Sequence, residues 1–277
     1  MWLAAVGVAP LAACAGDANK GDAGDTALAN DTGQGDSANG SDSGRDTAPD
    51  DTSAPDWATG GTAGMTAKAA YPDPFVDPVG VCALVATTTA GPCTTATDRV
   101  REDISEGWRG LPVRLLLRFV DADCVPATGV TVRVWHTNVE GSYSGQTPNN
   151  AMCLQTEDYA ASDFFRGVQV TDARGVVAFD TCFPGAYPGR AVHVHFQIVR
   201  ADRSSHVSQL FVPDALTREV FASHPDYAPF GQPDTSLAAD GISRAISADA
   251  LAQLTLEVAR MADGALLASQ TLSVRGS

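Results

Sequence analysis

Between Ala15 and Ala70 the chain is built from Asp, Gly, Ala, Thr and Ser, with almost no large apolar side chains. Such a segment cannot bury enough surface to offset the entropy of ordering it, so any core must come from Tyr71 onward. Residues 15–70 are therefore expected to be a disordered tether. As a random coil of about 55 residues it would span on the order of 40 Å. The remaining stretch, 71–277, is roughly 200 residues long, enough for one domain with a substantial core. Of the formal net charge of -15, the tether carries ten Asp against one Arg and two Lys, a local excess of -7. An acidic chain without a basic run has no electrostatic reason to bind nucleic acid, so no nucleic-acid partner is expected.

Met1 to Ala13 is almost wholly apolar and ends in Leu11-Ala12-Ala13-Cys14, which is similar to a bacterial lipobox. Residues 1–14 then read as a lipoprotein-type signal segment. Cys14 would become the lipidated first residue of an exported protein held at the cell envelope, with that anchor its only membrane contact. Five further cysteines follow at 82, 93, 124, 153 and 182. Export favours disulfides, an odd count permits two bridges at most, and spacing leaves their connectivity open. No CxxC pair points to zinc.

Beyond Tyr71, Pro and Gly punctuate short apolar runs. Val113–Val120 and Val130–Trp135 read as strands, and in the second Val130, Val132 and Val134 alternate with Thr131, Arg133 and Trp135. Val176–Phe179 and Val192–Val199 are two more. Leu251–Ala259 and Ala265–Val274 flank the hairpin signal Asp263-Gly264. Helical periodicity is confined to short runs such as Pro213–Ser223. The fold class expected is mostly β: a β-sandwich core with long loops, preceded by the disordered tether.

In the strand AVHVHFQIVR, alternation places His193, His195 and Gln197 on one face and Val192, Val194, Phe196 and Ile198 on the other. Two imidazoles so spaced can converge on one metal ion, or form a polar, wetted sheet face. The preceding FPGAYPGR brackets Tyr187 between two Pro-Gly breaks and delivers a phenol to the start of that strand. Phenolate is a hard anionic donor suited to Fe(III), so a mixed Tyr/His set favours ferric iron over zinc or calcium. His136, His206 and His224 lack ligand-like partners at useful spacing and read as structural or solvated.

Thr131–Gly145 (TVRVWHTNVEGSYSG), Phe164–Asp172 (FFRGVQVTD) and Phe179–His195 (FDTCFPGAYPGRAVHVH) resemble, in order and spacing, the intradiol ring-cleavage dioxygenases. The likeness is closest to their secreted, single-domain branch, with its short PGxYxGRxxHxH segment. Cys82, Gly91-Pro92, Arg101–Ile104 and Ser208–Phe211 extend it over about residues 80 to 245. The resemblance implies an Fe(III) ion held by Tyr143, Tyr187, His193 and His195, with Tyr143 assigned on the resemblance alone. It also makes Arg190 the active-site arginine and Gln209 a glutamine near the substrate.

The implied activity cleaves catechol-type rings between the two hydroxyl-bearing carbons with O2, giving cis,cis-muconate-type products. Tyr187 would take a proton from the diol while Tyr143 stays bound. Two positions depart from the family pattern: Cys93-Thr94-Thr95 replaces an aromatic pair after Gly91-Pro92, and Cys182 replaces an aliphatic residue. Cys93 and Cys182 could pair with each other or with Cys82. The competing expectations are a non-catalytic, envelope-tethered β-sandwich binding module and an HxH copper or zinc site, which needs neither tyrosine.

Overall fold

The computed structural model describes residues 56–79, 82–95, 99–199 and 205–274. The lipobox, Cys14 and the tether up to residue 55 lie outside these residues. Among the described residues, eight strands form two four-stranded sheets: β1 (Pro112–Val120), β2 (Thr131–Trp135), β3 (Arg166–Val170), β4 (Val176–Cys182), β5 (His193–Val199), β6 (Ser205–Phe211), β7 (Glu257–Arg260) and β8 (Leu266–Ser273). One sheet has the order β4-β1-β8-β7 and the other β3-β2-β5-β6, and every pairing is antiparallel except β1 with β8. The α-helices of the described residues, α1 (Asn150–Cys153), α2 (Asp214–Ser223) and α3 (Ala248–Gln253), sit in the connections.

Period-2 alternation builds the sandwich. Val113, Leu115, Leu117 and Phe119 of β1 meet Val132, Val134, Val194, Phe196 and Ile198 of the opposite sheet in one apolar cluster. The other face of β2 and β5 carries Arg133, Trp135, His193, His195 and Gln197 outward from that core, with Trp135 opposite His195 and Arg133 opposite Gln197. Long loops roof this outer face, which is why His193 and His195 are only 3% and 2% exposed. A wetted sheet face is therefore excluded.

Three expectations are corrected. First, the packed chain starts before Tyr71. Ala58 and Met65 are buried against Ala265, Trp57 Nε1 donates to Ser223 Oγ at 2.7 Å, and the Arg260 guanidinium lies 3.3 Å over the Trp57 ring. A few anchors plus backbone bonds such as Ala58 N–H to Gly264 C=O at 3.0 Å hold this strap despite its polar composition. Second, Leu251–Ala259 is not one strand. The Ser247 side chain accepts from Ala250 N–H and caps α3, leaving only β7 extended. Third, the bridges are Cys82–Cys124 and Cys93–Cys153, and Cys182 is a buried free thiol. Cys93 thus pairs with neither Cys182 nor Cys82, because its partner is carried in by the loop after β2.

Of the two readings for His224 the structural one holds: it is wholly buried, and its Nε2 donates to the Ala58 carbonyl at 2.9 Å, helping to hold the strap. His136 is buried as well, between the Thr137 carbonyl and the Thr181 hydroxyl.

Candidate metal centre

Two loops and one strand bring the four predicted donors together. Tyr143 follows β2 on a turn closed by the Asn138 side chain, whose Oδ1 accepts from Glu140 and Ser142 N–H at 3.1 and 3.0 Å. Its backbone N–H donates to Cys153 C=O at 2.9 Å, so the Cys93–Cys153 bridge braces it from behind. Tyr187 sits on the loop before β5. Glycines let the two tyrosine loops interlock: a Cβ on Gly141 would lie 2.0 Å from the Ala186 carbonyl oxygen, and one on Gly185 would lie 2.1 Å from that of Asn138. Gly141 also has a φ of +77°, which side chains other than glycine's rarely adopt.

The donor atoms converge. His193 Nε2 lies 3.1 Å from His195 Nε2, 3.2 Å from Tyr187 Oη and 3.5 Å from Tyr143 Oη, and the two phenol oxygens are 3.3 Å apart. His193 Nδ1 is 2.6 Å from the Ala191 carbonyl, which can only accept, so the ring proton is on Nδ1 and Nε2 is a bare lone pair. That lone pair accepts one good hydrogen bond, yet three polar groups crowd it. A cation among the four atoms gives each of them a role. Separations of 3.1–3.5 Å also match the edges of a coordination shell with bonds of about 2.0–2.2 Å. Among the described residues no three His, Cys, Asp or Glu side chains gather to hold a metal, so a metal here needs the phenols.

Electrostatics fit the same use. Burial pushes His193 down to about 3, and burial, then the neighbouring His193, holds His195 well below the usual histidine range, so both rings are neutral donors. Burial first, then Tyr187, raises Tyr143 well above an ordinary phenol, and burial raises Tyr187 as well. Both remain phenols unless a cation draws the proton off. Trp135 stacks on His195 with ring centroids 4.9 Å apart and planes 4° from parallel.

Arg190 and Gln209 are also brought to the site. Arg190 Nη2 donates to Gln209 Oε1 at 2.5 Å and Nη1 points to Tyr187 Oη at 3.4 Å, while Gln209 Nε2 donates to Thr89 C=O at 3.1 Å. Three residues that the sequence does not single out for the site, Trp135, Asp240 and Arg166, and the Cys93–Cys153 bridge also support it. The Arg166 guanidinium, 1% exposed, donates to the Ser144 and Cys93 carbonyls at 2.6 and 2.8 Å and lies 5.9 Å from the Tyr143 ring. Burial pushes it down to about 10, which leaves it charged at neutral pH. The position of Arg166 in the FRG run was the one visible signal, but its partners are distant in sequence.

A family model described as a dioxygenase matches residues 89–224, a span that includes all six predicted site residues. A chlorocatechol 1,2-dioxygenase of Pseudomonas sp. (strain P51) is 30% identical over 94 residues, covering 27% of this chain and 34% of that enzyme. The chain thus spans about a third of that relative's length. An intradiol ring-cleavage dioxygenase from Tetranychus urticae shares the fold with a TM-score of 0.62 at 25% identity, over 70% of this chain and 95% of that one. The dioxygenase domain of a dioxygenase carbohydrate-binding protein fusion from Streptomyces sp. SirexAA-E shares it with a TM-score of 0.52 at 20% identity, over 70% and 100% of the two chains.

Proposed function

We propose, on the premise that this chain belongs to the intradiol ring-cleavage dioxygenases, that it opens catechol-type rings between the two hydroxyl-bearing carbons with O2. The product is a cis,cis-muconate-type diacid that takes up both oxygen atoms. The observation that carries this reading is the convergence of two phenol oxygens and the His195 Nε2 atom within 3.5 Å of His193 Nε2 on a roofed sheet face, with both imidazoles neutral. Tyr143, Tyr187, His193 and His195 would hold ferric iron. When bound, that ion supplies a Lewis acid that holds the deprotonated diol and draws charge from its ring.

The chain's own groups divide the remaining work. A diol that binds as a dianion must shed two protons. Tyr187 Oη is suited to accept one, because burial favours its neutral form and makes its phenolate a strong base, and the other would pass to a hydroxide drawn from solvent, giving water. Tyr143 is deeper, 2% exposed, and its backbone is braced by the Cys153 carbonyl, so it stays in place. Arg190, its guanidinium aimed beside Tyr187, steadies the negative charge that builds on the ring as it is attacked. Gln209 has its amide occupied by Arg190 and Thr89, so it holds the arginine in place.

The test is O2 uptake by the iron-loaded protein with catechol, hydroxyquinol and protocatechuate, followed by identification of the product. One O2 consumed per ring and an ortho-cleaved diacid are expected from at least one of them. No uptake with any catechol, from protein shown to contain iron, would overturn the reading. Two disulfides among the described residues support an oxidising, exported setting, in keeping with an envelope lipoprotein anchored at Cys14. Fractionation decides this point: Cys14→Ser should leave the membrane fraction, and an unchanged distribution would remove the anchor.

A further inference from the structure

Asp240 is wholly buried, and its two carboxylate oxygens serve different parts of the chain. Oδ1 accepts from Ile242 and Ser243 N–H at 2.7 and 3.0 Å, closing the turn on which the residue sits. Oδ2 crosses to the loop before β5 and accepts from Arg190 Nε at 2.7 Å and Ala191 N–H at 2.8 Å. A buried carboxylate is costly unless it is satisfied in this way.

What Oδ2 holds leads directly into the site. A guanidinium is planar, so fixing its Nε edge fixes the direction of the other two nitrogens, here toward Tyr187 Oη and Gln209 Oε1. Ala191, held by its N–H, turns its carbonyl to His193 Nδ1 at 2.6 Å and so sets the tautomer that leaves Nε2 bare. One carboxylate thereby braces both a charged group and a donor ring. Asp240 lies outside the stretch 89–224 that the family model matches, fifty residues beyond Arg190.

We propose that Asp240 is the positioning residue of this site: it aims Arg190 at Tyr187 and Gln209 and braces the Ala191 carbonyl that orients His193. The kinetic part of this proposal rests on the ring-opening reading above, and the geometric part does not. In Asp240→Asn the amide oxygen stays with the turn, and the NH2 group faces two N–H donors where Oδ2 had accepted both.

The geometric part is tested in metal-free protein labelled with 15N-arginine. The Arg190 Nε–H signal, assigned by its absence from Arg190→Gln, is expected to exchange with water about tenfold faster or more in Asp240→Asn, as for loss of one charge-assisted bond. The kinetic part is a double-mutant cycle in iron-loaded protein. Asp240→Asn should lower kcat/KM about 10–100-fold and add nothing to the loss already caused by Arg190→Gln. A residue that only supports the fold would give additive losses and leave the Arg190 signal protected, which would overturn the proposal. If Asp240→Asn alone does not fold, the charge-balanced pair Asp240→Asn/Arg190→Gln carries the cycle, since it leaves no lone buried charge. That pair should match Arg190→Gln alone, and further impairment would count against the proposal. If the wild-type protein opens no ring, the functional reading falls, while the Arg190 exchange measurement still decides the geometric claim.

Discussion

Replacing His195 with Gln is expected to lower ring opening by about a thousandfold or more while leaving the protein folded. The imidazole is buried, its Nδ1 has no hydrogen-bond partner of good geometry, and its Nε2 faces the His193, Tyr143 and Tyr187 cluster. Its ring also stacks on Trp135. Loss of one donor from a Lewis-acid site removes several kcal/mol of charge stabilisation, and each 1.36 kcal/mol is tenfold in rate. Steady-state O2 uptake, bound iron and a urea melt together check this. Full activity in folded His195→Gln would remove the imidazole from the reaction.

Acid should unfold the metal-free protein far above the pH at which carboxylates protonate. Burial holds His136 at about 4 and His193 at about 3, and lowers His195 in the same direction. In the unfolded chain each returns to about 6.5. Above pH 6.5 neither state binds the protons, and below it only the unfolded chain does, so the stability present at neutral pH drains away as pH falls toward the folded values. His136 and His193 alone remove about 4 kcal/mol by pH 5, a large share of the 5–15 kcal/mol a domain usually has. Urea midpoints at pH 8, 7, 6 and 5 measure it. A midpoint unchanged from pH 7 to pH 5 would show that these rings are not buried and neutral.

The sandwich and half of the site were legible in the sequence because their signals are local. Alternation within VTVRVW and AVHVHFQIV marks β2 and β5, and it correctly separates the core valines from the outward His pair. Tyr187 belongs to the loop that enters β5, so its proximity to the imidazoles follows from chain connectivity. Tyr143 does not follow in that way. It reaches the site because β2 pairs with β5 with Trp135 opposite His195, a register that no local pattern states, and only the resemblance to a family supplied it. Asp240 and the Cys93–Cys153 bridge were illegible for the same reason, since each joins segments fifty or more residues apart. Around Leu251 the failure was different: an N-cap serine followed by Ala-rich sequence outweighed the apolar content that had read as a strand. The strap at residues 56–70 is not legible in the sequence because average composition hides a few good anchors such as Trp57 and Met65.

The proposed function requires that two tyrosines and two histidines jointly hold one ferric ion. The visible spectrum of the purified, iron-loaded domain reports on that ligand set, because tyrosinate bound to Fe(III) gives a red-brown charge-transfer band that dithionite bleaches. The band is expected in the wild-type protein and should weaken in both Tyr143→Phe and Tyr187→Phe. A colourless protein that takes up no iron would contradict the claim outright, and an unchanged band in Tyr143→Phe would remove that tyrosine from the set.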